Sequence, residues 1–163
     1  MIKGRPIQVL IADDNELIRI CLRDALQKYP NIEVIGEVAD GDEALAATLN
    51  LQPTVVVMDI LMDKMDGITA TRLIKAQHPH IVIIGLSVLE KDYQVYAMIK
   101  AGASAVLNKE NAAHELYAAI QQGVASIQPI VILDENTAPP ESSPKIDSLG
   151  ASEQQAPAEG TTE

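Results

Sequence analysis

Apolar residues along the chain fall into two alternating rhythms. Five short runs are dense in β-branched and aliphatic residues: IQVLIA (7–12), IEVIGEV (32–38), TVVVMD (54–59), IVIIGLS (81–87) and SAVLN (104–108). The first, third and fourth are apolar almost without interruption, the pattern of strands buried on both faces of a parallel sheet. After each run, apolar residues recur at steps of three and four. Over 15–29 these are Ile18, Cys21, Leu22, Ala25, Leu26 and Tyr29, which predicts an amphipathic helix with Cys21 as a small core residue and Arg19, Arg23 and Lys28 turned outward. The stretches 41–50, 67–77, 91–101 and 111–127 carry the same helical period. Gly102 stands where a helix C-terminal glycine is expected, and Pro53 and Pro79 sit in loops leading into the third and fourth strands.

Strict alternation of strand and helix predicts an α/β, doubly wound (βα)5 fold: a parallel five-stranded sheet joined by right-handed crossovers, with helices on both faces in a three-layer sandwich. Ligands of such sheets gather outside the carboxyl ends of the strands, where the strand order reverses. The periodic pattern ends at Leu133. Residues 5–127 therefore form the domain, 128–133 (with PIVIL at 129–133) a short packing segment or linker, and 134–163 a tail rich in Pro, Ser, Ala, Gly, Thr and acids. That tail lacks the apolar surface to offset its ordering entropy and is expected to be disordered.

Composition narrows the function. With 163 residues, 47% of them hydrophobic, the chain is sized for one domain with a sizeable core. Its net charge of -11 disfavours unaided binding to nucleic acid or an anionic membrane. From Asp134 onward seven acids face a single base, Lys145, so the tail is the more acidic part and is too poor in apolar periodicity for a helix-turn-helix domain. Cys21 is the lone cysteine, which excludes an internal disulfide and a thiolate zinc site. Neither a signal-peptide core nor a run of transmembrane length is present, so a soluble cytoplasmic protein is expected.

The chemistry collects at the strand ends. The first strand runs into Asp13 and Asp14, the third ends in Asp59, the fourth in Ser87, and the fifth leads to Lys109. Taken singly, each has an ordinary reading: Asp13 and Asp14 as a helix cap and acidic first turn (with Asn15 an equal candidate for the cap), Asp59 as a solvated loop acid, Ser87 as a hydroxyl satisfying loop backbone. Together they make a site. Three converging carboxylates need a cation, and an all-oxygen donor set suits Mg²⁺. A carboxylate beside such a metal can attack a phosphoryl group, with Lys109 neutralising charge on its oxygens and the Ser87 hydroxyl donating to one of them. His78, His80 and His114 form no ligand constellation and read as surface or loop residues. Tyr93 and Tyr96 fit core or interface equally.

In ADDN (12–15), MDILM with MDG (58–67), LS (86–87) and AGASAVLNK (101–109), the chain closely resembles the receiver domain of two-component response regulators over about residues 5–127. The resemblance implies a flavodoxin-like sheet of order 2-1-3-4-5. It implies that Asp59 accepts a phosphoryl group from a sensor histidine kinase or phosphotransfer protein. It further implies that Asp14, Asp59 and the carbonyl of Leu61 hold Mg²⁺, with Asp13 acting through a coordinating water, and that Ser87 and Lys109 read the phosphoryl group. The readout would be a shifted surface on the fourth helix and fifth strand, for a downstream protein target or a homodimer partner. Two positions depart from the usual pattern: Asp63 replaces a proline and Val106 replaces an aromatic switch residue, whereas Glu110 fits it, since Pro or an acid commonly follows the lysine. Leu61 and Leu89 place apolar side chains near the mouth of the site and are expected to hinder water and lengthen the phosphorylated lifetime.

Three other readings compete with a phosphorylated switch that acts without an output domain in this chain. A phosphorylation-independent pseudo-receiver would have lost an acid, the serine or the lysine, and all five are present. A truncated receiver of a DNA-binding response regulator fits the stretches AGA and LNKE. An aspartyl-phosphate phosphatase would carry a second acid two residues after the nucleophile, where this chain has Leu61, so turnover of a small substrate is not expected.

Overall fold

The computed structural model describes residues 4–88 and 93–127. Strands and helices alternate as β1 (Ile7–Ala12), α1 (Glu16–Leu26), β2 (Ile32–Val38), α2 (Gly41–Leu51), β3 (Val55–Asp59), α3 (Gly67–Gln77), β4 (Val82–Ser87), α4 (Tyr93–Ala101), β5 (Ala105–Asn108) and α5 (Ala112–Ile127). All neighbouring strands pair in parallel, in the order β2-β1-β3-β4-β5. This is the doubly wound, flavodoxin-like arrangement expected from the sequence. The expected packing segment and acidic tail, 128–133 and 134–163, lie outside the described residues.

Burial follows position in the sheet. β3 and β4 are buried along their whole length and β1 over its last four residues, whereas the edge strands β2 and β5 are only partly covered. The uninterrupted apolar runs are thus the three inner strands. Side chains alternate between two cores. Leu10, Val56, Met58, Ile83 and Met98 pack on the face covered by α2, α3 and α4; Val9, Ile11, Val57, Ile84 and Leu86 meet Leu22, Leu26, Leu116 and Ile120 of α1 and α5 on the other. Because the order reverses around β1, crossovers on opposite faces leave a crevice above the carboxyl ends of β1 and β3.

α1 stops at Leu26, short of the 15–29 periodicity. The Gln27 amide still donates to the Arg23 carbonyl, and the Tyr29 amide closes a turn on Leu26 before Pro30 prevents continuation. Tyr29 then stacks on Tyr117 of α5, ring centroids 3.6 Å apart and nearly parallel. Cys21 is exposed, contrary to the core position expected from its spacing. The buried stripe of α1 centres on Leu22 and Leu26, and Cys21 falls at its margin. Gly102 has φ 116° and ends α4 in the left-handed region, as its place in the sequence predicts.

Candidate functional site

The loop after β1 is built to present carboxylates. The Asp13 amide donates to the Val38 carbonyl (3.1 Å), which joins the ends of β1 and β2. Its Oδ1 accepts the Asn15 amide at 2.9 Å. Asn15 takes the capping role, its side chain accepting from the amides of Leu17 and Ile18. Asp13 and Asp14 are therefore released from capping α1; Asp13 is fully buried and Asp14 exposed. Arg19 does not turn outward as its helical position predicts. Its Nη1 reaches back to donate to the Asp13 carbonyl at 2.7 Å, fixing the loop from the helix side.

Asp59 closes β3 with 2% exposure. Its Oδ1 accepts the Leu61 amide at 3.2 Å. The next residue is tied on both sides, the Ile60 amide donating to the Leu86 carbonyl and its carbonyl accepting from the Gly67 amide, each at 3.0 Å. Gly67 has to be glycine: a Cβ there would collide with the Asp59 carbonyl. Asp66 caps α3 by accepting from the Thr69 amide and hydroxyl.

Lys109 follows the edge strand β5. Its amide donates to the Ser87 carbonyl at 2.8 Å, anchoring the β5–α5 loop to the end of β4. Its Nζ then lies 2.9 Å from Asp13 Oδ2 and 2.8 Å from Asp59 Oδ2. Burial raises the Asp59 pKa to about 6; the Lys109 hydrogen bond opposes this, and the Asp13 charge adds to it. For Lys109, burial works against the ammonium, but its bonds to Asp59 and Asp13 outweigh burial and hold its pKa above the ordinary value. Ser87 is buried at the end of β4, where Asp59 pairs with the preceding Leu86.

Carboxylate oxygens of Asp13, Asp14 and Asp59 lie within 4.8 Å of one another. The Oδ2 atoms of Asp13 and Asp59 are buried, and both turn to the single Lys109 ammonium as their partner among the described residues. Such oxygens, in an all-oxygen set with one solvent-facing member, fit a hard divalent cation that keeps part of its water shell. Leu61, half-exposed just past Asp59, is in the loop that would supply a carbonyl.

Of the sequence-predicted residues, the fold unites Asp13, Asp14, Asp59 and Lys109, and puts Ser87 on the adjoining strand end. Leu89 lies outside the described residues. Tyr93 and Tyr96 are 80% and 61% exposed, so they belong to the surface and not the core. His80 and His114 are exposed and His78 half-buried; Asp13, Asp14 and Asp59 are the one metal-capable group among the described residues. Three contacts escaped the sequence reading: the Arg19 return, the Asp66 cap, and an ion pair between Lys64 and Asp40 (2.6 Å). The Asp66-Gly67 and Asp40-x-x-Glu43 patterns ahead of helical runs are legible capping signals. The tertiary ion pair has no local signature.

Comparisons with known proteins agree with the fold. The family profile described as response regulator receiver domain matches residues 9–121. The response regulator protein VraR of Staphylococcus aureus (strain NCTC 8325 / PS 47) is 36% identical over 130 residues, 78% of this chain and 62% of VraR. The chain thus spans somewhat under two thirds of the length of that curated relative. Among solved structures, the response regulator domain of Thermotoga maritima CheB aligns with TM-score 0.70 and 29% identity over 77% of this chain and all of that one. A chain of the CheX-CheY-BeF3-Mg²⁺ complex of Borrelia burgdorferi aligns with TM-score 0.68 and 28% identity, covering 73% of this chain and 90% of that one.

Proposed function

The chain belongs to the response regulator receiver family, and from that premise we propose that it is a phosphoryl-accepting switch with Asp59 as the acceptor. The observation that carries this reading is the buried pair of Asp13 and Asp59 oxygens sharing the Lys109 ammonium at the carboxyl edge of the sheet. A structural ion pair needs one acid per lysine. Two buried acids on one ammonium leave a negative site, and that is poor for stability but suited to a cation and a reacting phosphoryl group.

Asp13, Asp14, Asp59 and the Leu61 carbonyl would hold Mg²⁺, with Asp13 acting through a coordinating water. When bound, the ion supplies positive charge against the phosphoryl oxygens. Asp59 must be ionised to attack, and a pKa near 6 leaves it mostly so at pH 7.5. Its oxygen forms the new bond to phosphorus as the bond to the donor's imidazole nitrogen breaks, and that nitrogen leaves with the electron pair. Lys109, already 2.8 Å from Asp59 Oδ2, neutralises charge on the transferred group without crossing the site. The Ser87 hydroxyl donates to a phosphoryl oxygen. Because the Lys109 amide is bonded to the Ser87 carbonyl, displacement of either side chain is felt by both β4 and β5, which carries the signal toward α4 and its exposed Tyr93 and Tyr96.

The donor is a sensor histidine kinase or phosphotransfer protein, and the reader is a protein docking on the α4 and β5 face. Residues 5–127 constitute the receiver. No helix among the described residues is long and apolar enough to cross a membrane. The test is intact mass after incubation with Mg²⁺ and acetyl phosphate. A single phosphoryl gain that needs Mg²⁺ and vanishes in Asp59→Asn is expected; absence of any gain, including with candidate histidine kinases, overturns the reading in favour of a receiver-shaped interaction module.

A further inference from the structure

Lys64 lies midway between β3 and α3 with its backbone in the left-handed region, φ 63°, where a lysine is found only when its surroundings fix it. Its ammonium stands 2.6 Å from Asp40 Oδ2. Asp40 is itself buried, at 5% exposure, and its other oxygen caps α2 by accepting the Glu43 amide at 2.9 Å. One residue further on, the Gly41 amide donates to the Met65 carbonyl at 3.2 Å. The start of α2 therefore grips the loop at two successive residues, while the bond between Gly67 and Ile60 closes its base. Leu61 lies between these fixed points. The same α2 start is continuous with Val38, whose carbonyl accepts the Asp13 amide. The ion pair thus connects the loop that follows one carboxylate of the cluster to the strand end beside another. Asp63 precedes Lys64, so no proline ring limits the backbone at this point.

We propose that Lys64 is a positioning residue, whose ion pair with Asp40 holds the β3–α3 loop in the arrangement that captures the divalent cation. The inference rests on the reading of Asp59 as a Mg²⁺-dependent acceptor. Its sign separates it from a simple field effect. A cation near an acidic cluster repels Mg²⁺, so by charge alone neutralising Lys64 tightens metal binding. If the lysine acts by restraining the loop, neutralising it weakens binding.

The experiment titrates the full chain with MgCl2 by calorimetry, without a phosphodonor, for wild type, Lys64→Ala, Lys64→Arg, Asp40→Asn and the Lys64→Ala/Asp40→Asn double variant. Asp40→Asn keeps an acceptor for the α2 cap and removes the charge partner. Lys64→Ala is expected to weaken Mg²⁺ by roughly 5-fold, below the ~10–100-fold of buried supporting partners because this lysine is largely exposed. Lys64→Arg restores most of the loss, and the double variant falls no further than the weaker single, the mark of one shared interaction. In metal-free protein, amides 61–65 exchange faster in Lys64→Ala. Labelling by acetyl phosphate is slowed at limiting Mg²⁺ and recovers at saturation. Unchanged or tighter Mg²⁺ binding by Lys64→Ala, or unchanged exchange at 61–65, overturns the proposal. Failure of the wild type to gain a phosphoryl group, with the Mg²⁺ and exchange results as expected, overturns the acceptor reading and leaves the loop restraint standing.

Discussion

Replacing Asp59 by Asn removes the proposed acceptor and is expected to make the metal-free protein more stable. Burial holds the Asp59 carboxyl up to about 6 against an ordinary 3.8, with the Lys109 hydrogen bond opposing and the Asp13 charge reinforcing the shift. As pH rises from 4 to 6 the unfolded chain gives up this proton first, so the folded state binds more protons and its stability falls across that window. Above pH 6 the cost is complete. Roughly two pKa units correspond to about 3 kcal/mol; residual solvent screening, and the partner that Lys109 forfeits, reduce the expected gain of the Asn variant to about 2 kcal/mol. For a domain of this size that is a rise in Tm of about 8 °C.

The assay is urea or thermal unfolding of both proteins in EDTA at pH 4, 5, 6 and 7.5. Taking the difference between them cancels the titration of acids that are not coupled to Asp59. A gap near zero at pH 4, opening through pH 6 and flat beyond, is the expected curve. Adding Mg²⁺ at pH 7.5 narrows it, because the wild type gains binding energy that the variant largely forgoes. An Asn variant equal to or less stable than the wild type at pH 7.5 in EDTA, or a gap independent of pH, refutes the claim that the acid is held at an energetic disadvantage.

Removing the shared cation has the opposite effect. Lys109→Ala leaves two buried carboxylates facing one another and costs about 3 kcal/mol in EDTA, with much of the loss recovered in Mg²⁺; urea unfolding with and without the ion reads both. Leu61→Asn replaces the half-exposed apolar side chain beside Asp59 and shortens the phosphorylated lifetime, by less than the ~10²-fold of a positioned general base. Decay of the phosphorylated mass after donor removal measures it, and a lifetime equal to or longer than wild type counts against water exclusion. Val106→Ala deletes methyls packed beside Gly85 and Met98 and costs about 1 kcal/mol, with acetyl phosphate labelling unchanged; slowed labelling at unaltered stability would place Val106 in the reaction itself.

Most of the fold was legible because each inner strand is buried on two faces and must be apolar along its length, while each helix buries one stripe. The site was legible for a related reason. An acid at the end of such a strand, as at Asp59, interrupts a pattern whose energetics disfavour it, and the interruption recurs at Asp13 and Ser87 on neighbouring strands. Where one side chain serves two neighbours, sequence period fails. Arg19 has the spacing of an outward residue, yet its length lets it bend back to the Asp13 carbonyl. Cys21 has the spacing of an inward one but falls at the margin of a stripe defined by Leu22 and Leu26. Lys64 and Asp40 are 24 positions apart, and nothing local relates them.

Val106, where the receiver pattern usually has an aromatic residue, bears on the proposed mechanism. It faces β4 at Gly85, where an added Cβ would come within 3.1 Å of the valine and 3.0 Å of Met98. A β-branched side chain in that packing has one preferred rotamer and no ring to swing between an inward and an outward position. On the proposed function, a signal from Ser87 to the surface would then travel as a displacement of backbone. Two backbone hydrogen bonds supply that path: the Lys109 amide to the Ser87 carbonyl, and the Ile60 amide to the Leu86 carbonyl. They place the loop after Asp59, the end of β4 and the β5–α5 loop in one bonded series. Lys109 therefore has two attachments to the site, its ammonium to the carboxylates and its amide to β4. On the proposed function, a change in what the ammonium binds reaches the strand that α4 packs against through this backbone series, a route that needs no aromatic switch.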